Sequence, residues 1–351
     1  MDLKRAIMEL SAIRGVSGGE GEISRAAAER MRPFVDSVRV DRFGNVVGYM
    51  RSAETGAPTL MLDAHIDQVG LMIADVTDDG FAHFVPIGVD PRTLLSNEMI
   101  VLGRGGPIKG VISALPPHLQ NEGDDLKPVP VGEMTLDLGM TGARARELVR
   151  PGDLVAFDAD PVELLGNNIA GPSMDNRAGF ACVVRALELL ANTNPPCNLV
   201  VTATTREESG YYGAVQCATE ERPDYILVVD ACHARTGDAE RYARVHEPGS
   251  GPVVGRGANS SPRVAEHLID AAERGGLPYQ LEAIPKTSNT NAWLAQIAGV
   301  GATTAVISLP VKYMHTPVET LCVDDAETLA RLLYAFCRDF KGLRVRGGEA
   351  A

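Results

Sequence analysis

Histidines and carboxylates follow several apolar, strand-like runs of this sequence. The first case is PTLMLDA (58–64), which leads directly into His65 and Asp67. Removing such a pair from water is unfavourable unless another group matches its charge. Side chains of the same types occur near the ends of further runs or before a helix: Asp175, Glu207, Glu208, Asp230 and His315. These residues are the candidates for chemistry.

The candidates suit a divalent metal ion. Polar groups at the carboxyl ends of parallel strands meet at one edge of a sheet, where two histidines and several carboxylates would bury unpaired charge. Imidazole nitrogen and carboxylate oxygen bind zinc, cobalt or manganese, and the lack of thiolate argues against a closed structural zinc site. The number of ligands predicts two ions that share one carboxylate, with a water activated between them.

Local geometry separates the roles of neighbouring candidates. Glu207 and Glu208 are adjacent, and successive side chains of an extended segment point to opposite sides. One of them can therefore bind metal while the other acts as a general base. Asp175, in PSMDNRAG, is expected at the N-cap of a helix over 176–191.

The elements that must position these residues predict an α/β fold with an insertion. Up to residue 67 the pattern is a helix, a hairpin and the strand before His65. From 68 to 164, short alternating runs such as FAHFVPI and DLVAFD predict a compact β domain. After 165, strands and helices alternate, which predicts a largely parallel, buried sheet. We expect a catalytic α/β domain of 1–67 and 165–351, interrupted by a β domain of 68–164.

Composition narrows the class of protein. The chain has 351 residues, 45% of them hydrophobic and 23% charged, as in ordinary globular proteins. Its formal net charge of -13 argues against a nucleic-acid partner, whose phosphates are also negative. No apolar run reaches the roughly 20 residues needed to cross a bilayer, and no signal peptide is expected. The six cysteines are dispersed, which predicts buried free thiols and a cytoplasmic protein.

Five motifs carry a resemblance to a known family. AHIDQVG, SMDNRAG, EESGYYGA, VVDACHA and PVKYMHTPVE resemble the metal-site motifs of the TET-type metallo-aminopeptidases, the metallopeptidase family numbered forty-two. The similarity covers nearly the whole chain. It implies a zinc-peptidase-like α/β/α sandwich with a mixed, mostly parallel sheet, interrupted by a small, PDZ-like β-barrel that makes dimers. It also implies a tetrahedral dodecamer of such dimers.

The resemblance assigns a role to each candidate. It implies two metal ions, zinc first and cobalt or manganese as alternatives, with these ligands: His65 and Asp230 on one ion, Glu208 and His315 on the other, and Asp175 bridging. Glu207 would be the general base, and Asp67 would orient the ring of His65. The implied activity is removal of N-terminal residues from short peptides.

Two positions depart from the family's pattern. The family has Glu where this chain has Gln68, and Asp where it has Asn291. The second change lies near the site and bears on specificity. Three cationic residues, Lys286, Arg256 and Arg263, lie in the region where the family shapes the pocket for the first residue of the substrate.

The remaining histidines have simpler interpretations. His233 follows Cys232 close to Asp230, but a five-ligand site already suffices, so we interpret it as a loop residue. His118 is predicted in a turn or interface of the insertion. Surface positions are expected for His83, His246 and His267.

Three alternative functions stay open at this point. A related co-catalytic zinc deacylase or amidohydrolase would use a similar centre, but such relatives carry their extra domain between the positions of Asp230 and His315. Here the long insertion follows Asp67. A glycosidase would use two carboxylates without needing the histidines. A scaffold with a purely structural metal would have no use for Glu207.

Overall fold

The computed structural model describes residues 1–113, 115, 117–119, 128–239 and 245–343. This part of the chain forms one large sheet with helices on both faces and one closed β-barrel. The strands, numbered along the chain, are β1 Ser37–Val40, β2 Val46–Met50, β3 Thr59–His65, β4 Gly70–Val76, β5 Phe81–Ile87, β6 Asn97–Gly103, β7 Gly106–Ile112, β8 Leu136–Asp137, β9 Leu154–Phe157, β10 Val162–Leu164, β11 Asn168–Gly171, β12 Asn198–Thr204, β13 Tyr225–His233, β14 Val253–Gly257, β15 Gln280–Ile284, β16 Thr303–Lys312 and β17 Glu319–Cys322.

Eight α-helices accompany these strands in the described residues. They are α1 Leu3–Ser11, α2 Gly21–Met31, α3 Gly142–Leu148, α4 Met174–Leu190, α5 Tyr212–Glu221, α6 Pro262–Gly275, α7 Ala292–Ala295 and α8 Val323–Asp339. The predicted helix over 176–191 corresponds to α4, and the predicted hairpin before residue 50 corresponds to the antiparallel pair β1 and β2.

The large sheet is mixed, with a parallel centre. Its strands follow the order β1-β2-β12-β3-β13-β16-β17-β11-β10, and β14 pairs with both β15 and β16. The four central strands β12, β3, β13 and β16 run parallel to one another. Parallel strands buried on both faces are rich in apolar residues, and β3 fits because six of its seven residues are buried.

Helices cover both faces of this sheet. Leu60 and Leu62 of β3 belong to the main core, which α1, α2, α4, α6 and α8 complete. Met61, between them, points to the other face and belongs to a second core with residues of α5 and α7. This alternation follows from the two-residue period of a strand. The predicted α/β/α arrangement is confirmed.

The β-barrel is closed and entirely antiparallel. Its strand order is β4-β5-β8-β7-β6-β9, and it has a core of its own that includes Leu71, Met99 and Leu136. The predicted barrel is thereby confirmed. The division of the chain at 68 and 164 stays a prediction. Within that range, β10 belongs to the large sheet rather than to the barrel, because it pairs with β11.

Two further features of the described residues bear on the expectations from composition. All six cysteines are buried and free, as predicted. No described helix combines the length and apolar character that a bilayer-spanning segment requires.

A fully buried arginine ties the amino-terminal segment to the centre of the fold. Arg177 of α4 donates from Nε to the carbonyl oxygen of Ile66 (3.0 Å) and from Nη1 to those of Leu10 (3.1 Å) and Ile13. Its Nη2 donates to Oε1 of Gln68 at 2.8 Å. Burial lowers the pKa of Arg177 to about 10, which leaves the guanidinium charged at neutral pH. Gln68, one of the two departures from the family, is therefore a partner of this arginine.

We expect Arg177→Met to lower the free energy of unfolding by about 3–5 kcal/mol, because several buried carbonyl groups lose their donor. Urea unfolding at a fixed protein concentration measures the change. The matched control is Arg185→Met on the same helix, whose guanidinium pairs with Glu188 nearer the surface. It should cost less than about 1 kcal/mol. Equal losses in the two variants would contradict this explanation.

Candidate metal centre

The carboxyl ends of the central strands bring the candidate residues to one place. β3 and β12 run in parallel register, with His65 opposite Thr204, so the segment with Glu207 and Glu208 begins beside His65. Asp230 lies in the neighbouring strand β13. His315 follows the end of β16. Because parallel strands end at the same edge of the sheet, residues that follow them lie close together there, and binding sites of open α/β sheets are found at this edge.

Asp175 reaches the site from α4, although not as its N-cap. The N-cap is Ser173, and Asp175 lies in the first turn with non-helical backbone angles (φ -78°, ψ 109°). The predicted N-cap role is not observed, but the predicted place of Asp175 before the regular helix is, because Asn176 is non-helical as well (φ -121°, ψ 31°). The non-helical first turn places the Asp175 carboxylate between the two histidines.

The distances define a cluster with Asp175 at its centre. Oδ1 of Asp175 lies 3.2 Å from Nε2 of His65, and Oδ2 lies 3.5 Å from Nε2 of His315. Nε2 of His65 is also 3.6 Å from Oδ1 of Asp230, and Nε2 of His315 is 3.5 Å from Oε1 of Glu208. The two oxygens of one carboxylate thus face two different histidines, each of which faces a second carboxylate.

Several buried atoms of the cluster have no hydrogen-bond partner among the described residues. They are Oδ1 of Asp175, Oδ2 of Asp230 and Nδ1 of His65, of which Nδ1 of His65 faces the Asp67 carboxylate at 3.4 Å. Buried polar atoms are nearly always paired, so the two carboxylate oxygens call for a bound species. Ligand atoms of His65, Asp175 and Glu208 lie within 4.8 Å of one another. Imidazole nitrogen with carboxylate oxygen is a donor set that fits a divalent cation.

The pKa values of the cluster describe a site rich in negative charge. Burial raises the pKa of Glu207 well above its usual range and that of Glu208 to about 8. Burial alone would lower the pKa of His315, but Asp175 and Glu208 outweigh it and raise that pKa to about 10. Protons held in this way occupy positions that a cation would take, so metal binding would release them.

Asp67 supports both glutamates through the backbone. Its Oδ1 accepts a hydrogen bond from the backbone N–H of Glu207 (3.0 Å), and its Oδ2 accepts one from that of Glu208 (3.1 Å). Oδ1 also lies 3.4 Å from Nδ1 of His65. The predicted position beside His65 is thus observed. The second contact, which fixes the turn after β12, has no signature in the sequence.

Glu319, which was not predicted from the sequence, supports the backbone on the opposite side of the site from Asp67. Glu319 is buried, and its two oxygens accept from the backbone N–H groups of Asp175 (2.9 Å) and His315 (2.7 Å). It stands in the quoted motif PVKYMHTPVE, four residues after the histidine. Only its place in that motif could have indicated it.

The barrel contributes to the site through one backbone carbonyl. Nδ1 of His315 lies 2.7 Å from the carbonyl oxygen of Gly88, which follows β5, so Nδ1 donates and Nε2 faces Asp175 and Glu208. Gly88 has φ +72°, and a Cβ there would meet Val69 Cγ1 at 2.6 Å and Glu208 Oε2 at 3.1 Å. A glycine is therefore required where the barrel approaches the site.

Asn291, the other departure from the family, has a specific buried partner. Its Nδ2 donates to Oδ2 of Asp63 at 2.7 Å. The hydroxyls of Thr202 (2.7 Å) and Thr204 (3.0 Å) donate to the other oxygen of Asp63. An aspartate at 291 would place a second carboxylate against Asp63, whereas the amide supplies a donor. The substitution is matched to its surroundings.

The residues interpreted as bystanders are distributed as follows. His267 is exposed, as predicted, and His83 is half-buried, with 43% of its side chain exposed. His118 is exposed in a single 3₁₀ turn, Pro117–Leu119, which agrees with the predicted turn. His233 is the last residue of β13, so its prediction as a loop residue is wrong. It is exposed, and no metal-binding group of the described residues includes it. His246 is an exception to the surface prediction, since only 11% of its side chain is exposed.

A cavity of about 840 Å³ opens directly onto the cluster. Its walls include the cluster itself, Tyr211, and the segment from Glu282 to Thr290 at the end of β15. Lys286 lines it, whereas Arg256 pairs with Glu266 at 2.7 Å outside it. The space next to the cluster is large enough for a peptide terminus.

Histidines and carboxylates gathered beyond the parallel strands of an α/β sheet are an arrangement that suits a metal-dependent hydrolase. The model of the M42 glutamyl aminopeptidase family matches residues 44–332. The chain therefore belongs to the M42 family of aminopeptidases, as the motifs predicted, and is an enzyme that hydrolyses peptide bonds.

Similar proteins agree with this membership. A lysyl aminopeptidase of Pyrococcus furiosus is 29% identical over 93% of this chain and 94% of its own. The aminopeptidase APDkam598 of Desulfurococcus kamchatkensis has a similar structure, with a TM-score of 0.88 and 32% identity over 96% of this chain and 94% of its own. The TET1 peptidase of Pyrococcus horikoshii has a similar structure, with a TM-score of 0.83 and 28% identity over 97% of this chain and 100% of its own. That peptidase can assemble into a tetrahedron or a large octahedral shell.

Gly88→Ala should weaken divalent-metal binding by about 10- to 100-fold, because the new Cβ displaces the carbonyl that holds His315 and crowds Glu208. Titration of the metal-stripped protein with zinc in a metal buffer measures this. Gly106→Ala is the matched control: Gly106 has φ +104° at the start of β7, and a Cβ there would have no atom within 4 Å. If both variants bind zinc equally, the Gly88 contact is unimportant.

Proposed function

We propose that this protein is a dinuclear metal-dependent aminopeptidase that removes N-terminal residues from short peptides. The observation that carries the proposal is the placement of Asp175, whose two oxygens face His65 and His315 separately. A single carboxylate between two histidine–carboxylate pairs is the donor arrangement of a site shared by two ions.

The proposed ligands divide into two groups around that carboxylate. One ion would be held by His65 and Asp230, and the other by Glu208 and His315. Asp175 would bind both ions. Zinc is the proposed metal, and cobalt or manganese would suit the same donors. When bound, the ions supply Lewis-acid polarisation of the scissile carbonyl and lower the pKa of water toward neutrality.

Glu207 is the proposed general base. It is 8% exposed, and an oxygen of its carboxylate lies within 4.8 Å of ligand atoms of His65 and Asp230. Burial raises the pKa of its carboxyl group, which makes the carboxylate a better proton acceptor. Glu207 would take a proton from the attacking water and pass it to the leaving amine. The free α-amine of the substrate would bind beside the carboxylates, by charge complementarity.

The proposal is tested with a panel of aminoacyl p-nitroanilides. The metal-stripped enzyme should be inactive and should recover with zinc, cobalt or manganese. Glu207→Gln should lower kcat by about 10²- to 10⁴-fold without lowering metal content, because only proton transfer is removed. Glu29→Gln, an exposed position, is the control and should change neither quantity.

Other outcomes distinguish the alternatives. Activity that survives both metal removal and Glu207→Gln would refute the mechanism. Hydrolysis of N-acylated amino acids, with no cleavage of free-amine substrates, would support a deacylase instead. The family membership favours the aminopeptidase.

We further propose a homo-oligomer in which the 68–164 domain makes dimers and the dimers form a tetrahedral dodecamer. The assembly described for the Pyrococcus horikoshii TET1 peptidase supports this. Light scattering after size exclusion should give the mass of twelve 37.3 kDa chains. The mass of a single chain would contradict the proposal.

A cytoplasmic location is also proposed, because six buried free thiols suit a reducing compartment. The acidic net charge of -13 supports peptides rather than nucleic acids as partners.

A further inference from the structure

The cavity continues from the metal centre across the edge of the sheet. Beyond β13 come β16, then β14, then β15, whose Glu282 stands opposite Gly255. Val306, Ser308 and Glu282 all line the cavity on this side. If the α-amine and scissile carbonyl of a peptide lie at the cluster, the side chain of its first residue must occupy the adjoining space.

Glu282 is a partly buried carboxylate that pairs with no lysine or arginine of the described residues. Its side chain is 28% exposed, and the described residues offer it no hydrogen bond. Among the described residues, the group within 4.0 Å that could carry positive charge is Nε2 of His246, at 4.0 Å. Burial lowers the pKa of His246, so this imidazole is neutral near pH 7. A carboxylate in such surroundings gains from a cation that enters the cavity.

Lys286 is the opposing charge in the same cavity, and its surroundings differ. It is exposed, on the loop after β15, so water already solvates its ammonium group. Interactions of solvated charges are weak and screened by salt. The partly buried carboxylate therefore outweighs the exposed ammonium in selecting a ligand.

We propose that Glu282 selects peptides whose N-terminal residue has a cationic side chain, lysine or arginine. This inference rests on the proposed aminopeptidase function and names its substrate class. Family membership does not decide the question, because the family model is described as glutamyl and the Pyrococcus furiosus relative as lysyl.

The test compares kcat/KM for the p-nitroanilides of lysine, arginine, leucine and glutamate with the metal-loaded enzyme. Lysine and arginine should exceed leucine by at least about tenfold. Glu282→Gln should reduce the lysine-to-leucine ratio by about tenfold or more, because the carboxylate that pairs with the ammonium is lost. Lys286→Gln is the matched control and should leave that ratio in place.

A charge reversal provides a second variant. Glu282→Lys should move the preference toward glutamate, and a thermal melt of each variant checks that it is folded. A wild-type enzyme that prefers glutamate, with the preference lost in Lys286→Gln, would overturn the inference, as would an equal rate on all four substrates. Hydrolysis of the leucine p-nitroanilide without any preference for the lysine p-nitroanilide would reject this inference but not the proposed aminopeptidase function. If none of the four p-nitroanilides is hydrolysed, the proposed function itself is rejected.

Discussion

Buried negative charge is the constraint on which the rest of this structure depends. Asp175, Glu207, Glu208 and Asp230 meet within a few ångströms of His65. So many carboxylates cannot be buried together as anions without a compensating positive charge, and their altered pKa values express that cost. A divalent cation would provide the charge, and the unpaired carboxylate oxygens of Asp175 and Asp230 would receive it.

The surrounding structure holds these groups through the backbone. Asp67 accepts from two neighbouring N–H groups on one side of the site, and Glu319 does the same on the other. Arg177 fixes the segment after β3 with a buried guanidinium, and Gly88 presents its carbonyl to His315. Because the barrel supplies Gly88, the centre is built from both the sheet and the barrel. Preorganised ligands of this kind raise metal affinity.

Much of the site could be predicted because its residues follow recognisable strands and resemble known motifs. Glu319 and Arg177 stand in two of those motifs, but their roles could not be read from the motifs, and Gly88 stands in none of them. A backbone carbonyl such as that of Gly88 leaves no residue-type signal, and the role of Arg177 depends on carbonyl groups more than 100 residues away. The Asn291 substitution could be noticed in the sequence but explained only by Asp63, its partner in the fold.

The sequence by itself determined the types and periods of the elements, the residue types of the metal centre and the family. These depend on local patterns, such as the apolar run before His65 and the alternation after residue 165. Tertiary structure alone decided which oxygen faces which nitrogen, that Asp175 has non-helical angles at the start of α4, and that no lysine or arginine of the described residues pairs with Glu282. Those facts depend on strand order, register and burial, which arise from contacts between residues far apart in the chain.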